Sequence, residues 1–219
     1  MHGVRPYKSI DDLPQTLAIF PLTGALLLPR GHLPLNIFEP RYLAMIDAAL
    51  SGTRLIGMIQ PTEPESEMDK PPLSDVGCAG RITGYRETDD GRYLITLTGV
   101  CRFRVEQELF ADTSFRQIVP DFAPFARDLL FDEDVPFPRD RLLAALKEYL
   151  AHRDLKADWD SAASAPAETL VNAVAMLCPF EPAEKQALLE APNWAERVNT
   201  LIALLTMAGS ETSGGTTLN

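Results

Sequence analysis

Residues Leu17–Ile46 read LAIFPLTGALLLPRGHLPLNIFEPRYLAMI, and the order of apolar runs and breaks within them decides the fold. Leu17, Ile19 and Pro21 alternate with Ala18, Phe20 and Leu22, the period of a β-strand. Leu26–Leu28 is a continuous apolar run, as expected of a strand covered on both faces. Pro29-Arg30-Gly31 breaks it, proline fixing φ and glycine tolerating positive φ. Leu33, Leu35 and Ile37 resume a period of two and are read as core. Pro40 then stands where a first helical residue would, with Leu43, Ile46 and Leu50 following at helical spacing.

Beyond this stretch, Arg54–Ile59 reads as a buried strand, and Glu63–Pro72 as a polar, proline-rich loop. Cys78–Glu87 and Arg92–Thr98 flank a hairpin turn at Thr88–Gly91, whose Asp90-Gly91 has turn chemistry. In Val100–Glu108, Cys101, Phe103 and Val105 form a core face, and Arg102 and Arg104 a solvated one that discourages edge aggregation. Phe115–Phe122 reads as a further strand. Short, mostly antiparallel strands with one inserted helix predict a small, partly open barrel. The fold class expected is α+β, with β-rich residues 14–124 followed by helical residues 139–208.

Phe125–Pro138 reads as a loop between the two parts. The helical stripes are Leu142, Leu143, Leu146, Tyr149 and Leu150, then Leu170, Val171, Val174 and Leu177, the second behind Ser164 and Pro166 as start signals. A third helix starts at Glu181-Pro182 with Glu184 in its first turn, where a carboxylate complements the dipole. Asn193 and Glu196 have the spacing of a capping box for a last helix ended by Gly209. The Ser/Thr/Gly-rich tail, residues 209–219, is expected to be disordered.

Four blocks, in order, resemble the N-terminal domain of the ATP-dependent Lon proteases. The first is the opening stretch, similar to the family's "FPL…LLLPG" and "LPL.IFEPRY". The second is Asp75–Ile82 (DVGCAGRI), and the third is Leu97–Val105 (LTGVCRFRV) behind the Asp90-Gly91-Arg92 turn. The fourth is Glu184–Glu190 (EKQALLE) followed by Arg197. The resemblance covers residues 14–207. It implies a PUA-like antiparallel β pseudobarrel with one inserted helix and a C-terminal helical subdomain. It also implies recognition of unfolded or exposed polypeptide segments, and raises an adaptor or regulator presenting clients to a separate ATP-dependent protease.

Composition bounds the chemistry. The chain has 219 residues, 46% apolar and 23% charged, with a formal net charge of −11. Such a field repels phosphate backbones and anionic membrane surfaces, so neither nucleic acid nor membrane is expected as a partner. The alternative of a PUA-like RNA-binding module lacks a basic cluster with interleaved aromatics. Cys78, Cys101 and Cys178 are odd in number and never in CxxC spacing, which fits small buried hydrophobes in a reducing cytoplasm. Residues 1–16 hold no apolar signal-peptide core, and no uncharged apolar run approaches the ~18 residues of a membrane span.

Catalytic patterns are missing too. No lysine follows a glycine, so there is no GxxxxGK[ST] phosphate loop, and there is no G-x-S-x-G elbow. His2, His32 and His152 lie in no ligand spacing, and Asp132-Glu133-Asp134 reads as a solvated acidic loop. The chain ends where a Lon ATPase domain would begin. No catalytic residue, cofactor or metal is therefore expected; a small hydrolase built from His32 or a cysteine with a carboxylate is the remaining enzymatic alternative. Candidate peptide-binding residues are Arg41, whose guanidinium has the chemistry to meet a peptide carboxylate or else to pair with Glu39, and Phe125, Phe131, Val135 and Phe137, apolar residues in a polar loop.

Overall fold

The structure, a computed structural model, describes residues 7–63, 70–130 and 137–210, with side chains through residue 208. The backbone divides into two compact units, residues 1–131 and 132–219. The first holds six strands: β1 (Leu17–Pro21), β2 (His32–Ile37), β3 (Leu55–Ile59), β4 (Val76–Glu87), β5 (Tyr93–Leu109) and β6 (Gln117–Asp121). Helix α1 (Pro40–Ser51) connects β2 to β3. The chain is thus α+β with a mixed sheet. β1 runs parallel to β3, and every other pairing is antiparallel. The pairings run β5-β4-β3-β1-β6 and return to β5, a closed circuit to which β2 is added along the first half of β5.

β5 makes this possible. Two strands expected on either side of Gly99 are one strand of 17 residues. Residues 93–98 pair with β2, residues 104–109 pair with β6, and β4 follows β5 nearly throughout. At the change of partner, a Cβ on Gly99 would stand 2.0 Å from the carbonyl oxygen of Leu28. Only glycine admits that approach. Arg30 N donates to Gly99 O at 2.8 Å, and Gly99 N to Gly31 O at 2.9 Å.

This crossing corrects the reading of Leu26–Leu28. The three leucines are fully buried, yet they belong to no strand. Their side chains fill the core while their backbone passes over β5. The core role of β2 is likewise narrower: Ile37 is buried, whereas Leu33 and Leu35 are half-buried on an added strand. Inside the circuit, Phe103 is fully buried and occupies the space that a Cβ on Gly77 would need, 2.4 Å from its ring. Burying such a ring contributes about 1.5–3 kcal/mol. Helix α1 buries Tyr42, Met45, Ile46 and Ala49, with the Tyr42 ring 4.2 Å from that of Phe20.

Arg102 is the largest departure from strand alternation. It is 4% exposed rather than solvated. A 3-10 segment, Ala123–Leu129, covers this side of β5 and brings Asp128 to it. Asp128 accepts from Arg102 Nε at 2.8 Å, Nη2 at 2.9 Å and the backbone N at 3.0 Å. The residues read as a loop from Phe125 onward therefore begin as an ordered cover. Arg104 does face solvent.

The second unit contains α2 (Arg139–His152), α3 (Trp159–Ser164), α4 (Ala167–Leu177), α5 (Pro182–Glu190) and α6 (Trp194–Ser210). The apolar stripes of α2 and α4 are buried as read, except that Leu143 is half-buried and Leu177 is exposed at the end of α4. Glu181 and Glu184 form a reciprocal capping box for α5, and Glu196 N donates to Asn193 Oδ1 at 3.0 Å to begin α6. The short α3 was not anticipated. Asp158 caps its start, and Arg139 donates to the carbonyls of Ala162, Ala163 and Ala165 at its end. The acidic triplet 132–134 and residues 211–219 of the expected tail 209–219 lie outside the described residues, whereas Gly209 and Ser210 continue α6.

Candidate functional site

β2, the first half of β5 and the second half of β4 extend from the closed circuit as a three-stranded arm. Beyond Arg81, β4 has β5 on one side and, among the described residues, no strand on the other. Residues 34–36 of β2, 94–96 of β5 and 84–86 of β4 line a solvent-open trough of about 520 Å³. The register aligns Pro34, Thr96 and Gly84 across one face, and Leu35, Ile95 and Tyr85 across the other. Gly84 adds no side chain over Thr96, which keeps that row low.

Aromatic side chains stand beside the trough. The Tyr85 ring, 44% exposed, meets Tyr93 edge-on with centroids 5.1 Å apart. Phe38, at the exit of β2, is 61% exposed and lies under the Arg92 guanidinium at 5.8 Å. Hydrogen bonds to Asp47 of α1 and to Tyr85 push the Tyr93 phenol up to about 12. Arg92 is held by Asp90 at 2.9 Å in the hairpin turn, where Thr88 Oγ1 also donates to Asp90. Gly91, at φ 77°, supplies the left-handed residue of that turn.

Of the five residues expected to bind peptide, Arg41, Phe125 and Phe137 are among the described residues. Arg41 is exposed but committed locally: Nε and Nη2 reach Glu39 Oε2 at 3.0 and 2.8 Å, and the guanidinium lies 4.7 Å over Tyr42. Phe125 is 8% exposed, with the Arg102 guanidinium 4.5 Å above its ring. Phe125 thus forms part of the cover that desolvates this cation. Phe137 belongs to the second unit, half-buried edge-on to Trp194 at 6.3 Å and beneath Arg139 at 5.0 Å. Phe131 and Val135 lie outside the described residues.

The trough residues escaped notice because β2 and the hairpin are remote in sequence until the register joins them. Tyr85 and Tyr93, on opposite sides of Asp90-Gly91, were the available signal.

Groups able to do covalent chemistry are placed elsewhere. Burial raises the Cys78 thiol far above its ordinary value, lifts Cys101 to about 12, with the Asp128 charge assisting, and lifts Cys178 to about 11. All three are buried thiols rather than thiolates at neutral pH. His32 Nδ1 lies 3.0 Å from Thr98 Oγ1, which in turn lies 2.9 Å from Thr83 Oγ1. Among the described residues, no three His, Cys, Asp or Glu side chains converge as a metal site, and no helix is long and apolar enough to cross a membrane.

The family model described as the ATP-dependent protease La (LON) substrate-binding domain matches residues 16–207, most of the chain. The chain belongs to this family. Among relatives of the LON substrate-binding domain, Lon protease 2 of Thermus thermophilus is 29% identical over 198 residues, 88% of this chain and 24% of that protein. Lon protease of Desulfosudis oleivorans is 32% identical over 114 residues, 49% of this chain and 14% of that protein. The chain therefore spans a quarter or less of these relatives. Two solved structures share the fold. The Lon N-terminal domain protein from Xanthomonas campestris aligns with TM-score 0.60 and 23% identity over 87% of this chain and 98% of that one. The N-terminal domain of Mycobacterium avium complex Lon protease aligns with TM-score 0.58 and 16% identity over 90% and 98%.

Proposed function

We propose that this LON-family chain is a non-catalytic recognition module that binds unfolded or exposed polypeptide segments, acting as an adaptor or regulator that presents them to an ATP-dependent protease. The observation that carries the reading is the open trough on the three-stranded arm. It offers an apolar and hydroxyl-bearing surface with exposed aromatic rings beside it, and its lining holds no His, Cys, Asp or Glu. Such a surface suits side chains of an extended chain better than a bond-breaking reaction. The family's description as substrate-binding supports the same reading. The closed circuit of strands with its inserted helix supports a PUA-like pseudobarrel, and three buried free thiols support a reducing cytoplasm.

Titrating a fluorescein-labelled unfolded polypeptide against the protein tests the proposal by fluorescence anisotropy. Saturable binding at micromolar protein is expected, weakened by Tyr85→Ala or by Gly84→Val, which raises the floor of the trough. Absence of binding at high micromolar protein overturns it.

A further inference from the structure

Backbone parity identifies which edge of the arm can receive another strand. In an antiparallel ladder each residue directs its N–H and C=O to the same side, and successive residues alternate. Gly99 N donates to Gly31 O and Thr88 N to Arg92 O, both at 2.9 Å. With the observed registers, residues 93, 95 and 97 of β5 bond to β2, while 94 and 96 bond to β4. The outward-facing residues are therefore His32, Pro34 and Asn36 on β2, and Tyr85 and Glu87 on β4.

These two edges are not equivalent. Pro34 has no N–H and stands in the middle of the outward row of β2, which blunts that edge. The β4 edge has no such guard. Thr83, Tyr85, Arg86 and Glu87 are all exposed, and the outward backbone groups of Tyr85 and Glu87 have no partner among the described residues. Two residues apart, they repeat at about 6.8 Å, the spacing that an extended chain presents. Arg86 is exposed and forms no ion pair among the described residues, so a carboxylate on an incoming chain would find an uncommitted cation there.

We propose that an extended segment of unfolded polypeptide adds to β4 along Thr83–Glu87 as a further strand, neutral or acidic in charge where it faces Arg86. The inference rests on the polypeptide-recognition reading and specifies its mode. Main-chain hydrogen bonds supply sequence-tolerant affinity, with Tyr85 and Arg86 setting the side-chain preference.

The probe is reduced, carboxymethylated lysozyme carrying fluorescein, used with the full chain. Tyr85→Pro removes one outward N–H without breaking a bond to β5, as Pro34 does on the opposite edge; Tyr85→Ala keeps the N–H and removes the ring. Binding about tenfold weaker for Tyr85→Pro, and less than about threefold weaker for Tyr85→Ala, is expected when a main-chain donor and its register are lost. Thermal unfolding checks that each variant is folded, and Glu87→Pro replaces Tyr85→Pro if the latter melts early. In the wild-type complex, amide exchange at Tyr85 and Glu87 slows on adding probe. Undiminished binding by both proline variants, or unchanged exchange at both amides, overturns the strand addition while leaving polypeptide recognition standing. A wild-type protein that ignores the probe overturns both. If it instead dimerises through this edge, with the dimer abolished by the proline variant, the occupant is a second copy and the peptide proposal falls.

Discussion

Asp128→Ala is the most informative perturbation of the β-rich unit. The Asp128 carboxylate accepts three N–H groups of a single residue, the backbone and two guanidinium nitrogens of Arg102. The two side chains are 5% and 9% exposed, so removing the acid takes a bidentate carboxylate from a buried cation and an acceptor from a buried backbone N–H. Breaking a buried pair from one side costs about 3–5 kcal/mol. The unit that unfolds contains 131 residues, and at that size each kcal/mol moves the midpoint by roughly 3–4 °C, so a fall of roughly 10–18 °C is expected. Circular dichroism of thermal unfolding measures it. The double variant Arg102→Met with Asp128→Asn removes the charge pair yet keeps an acceptor for the backbone N–H, and should recover more than half of the loss. A midpoint within about 2 °C of wild type for Asp128→Ala would refute the argument, because no buried charge tolerates desertion at so small a cost.

Gly99→Ala places a methyl group where the Leu28 carbonyl oxygen already lies, 2.0 Å away, and backbone on both sides leaves little room to yield; a loss of about 3 kcal/mol or more in chemical denaturation is expected. The Tyr93 phenol, raised to about 12 by Asp47 and Tyr85, should ionise well above free tyrosine in an ultraviolet titration, and Asp47→Asn should bring it back toward the ordinary value near 10. The folded-state value lies above the unfolded one, so this contact stabilises fully below about pH 10 and its contribution disappears as pH rises through 12.

What could be read before the coordinates was governed by period and punctuation. Pro40 and the stripe behind it placed α1, Glu181-Pro182 placed α5, and Asp90-Gly91 placed the hairpin, because each depends on neighbours within a turn or two. Arg102 was misread for the opposite reason. Alternation assigns a residue to a face, but only the chain 26 residues later decides whether that face is wet. Leu26–Leu28 failed similarly: apolarity reported burial correctly, whereas strand formation depended on whether a partner ladder was free. The trough was illegible because it needs three strands in register, and Phe125, which looked available, lies beneath the buried Arg102 guanidinium.

The same strand serves both halves of this division. Where β5 pairs with β4 and β6 its inward face is enclosed, with Arg102 neutralised by Asp128 and Gly99 pressed against the Leu28 carbonyl, while Arg104, Glu106 and Gln107 face solvent. Where β5 pairs with β2 it carries a face that no other strand among the described residues covers, bounded on one side by a proline-interrupted edge and on the other by an uninterrupted one. An open edge is hazardous in a monomer, since it invites association with any extended chain. A protein that protects one edge of a short arm with proline and leaves its counterpart bare has the geometry required to admit extended polypeptides at one place, and the backbone of Tyr85 and Glu87 is that place.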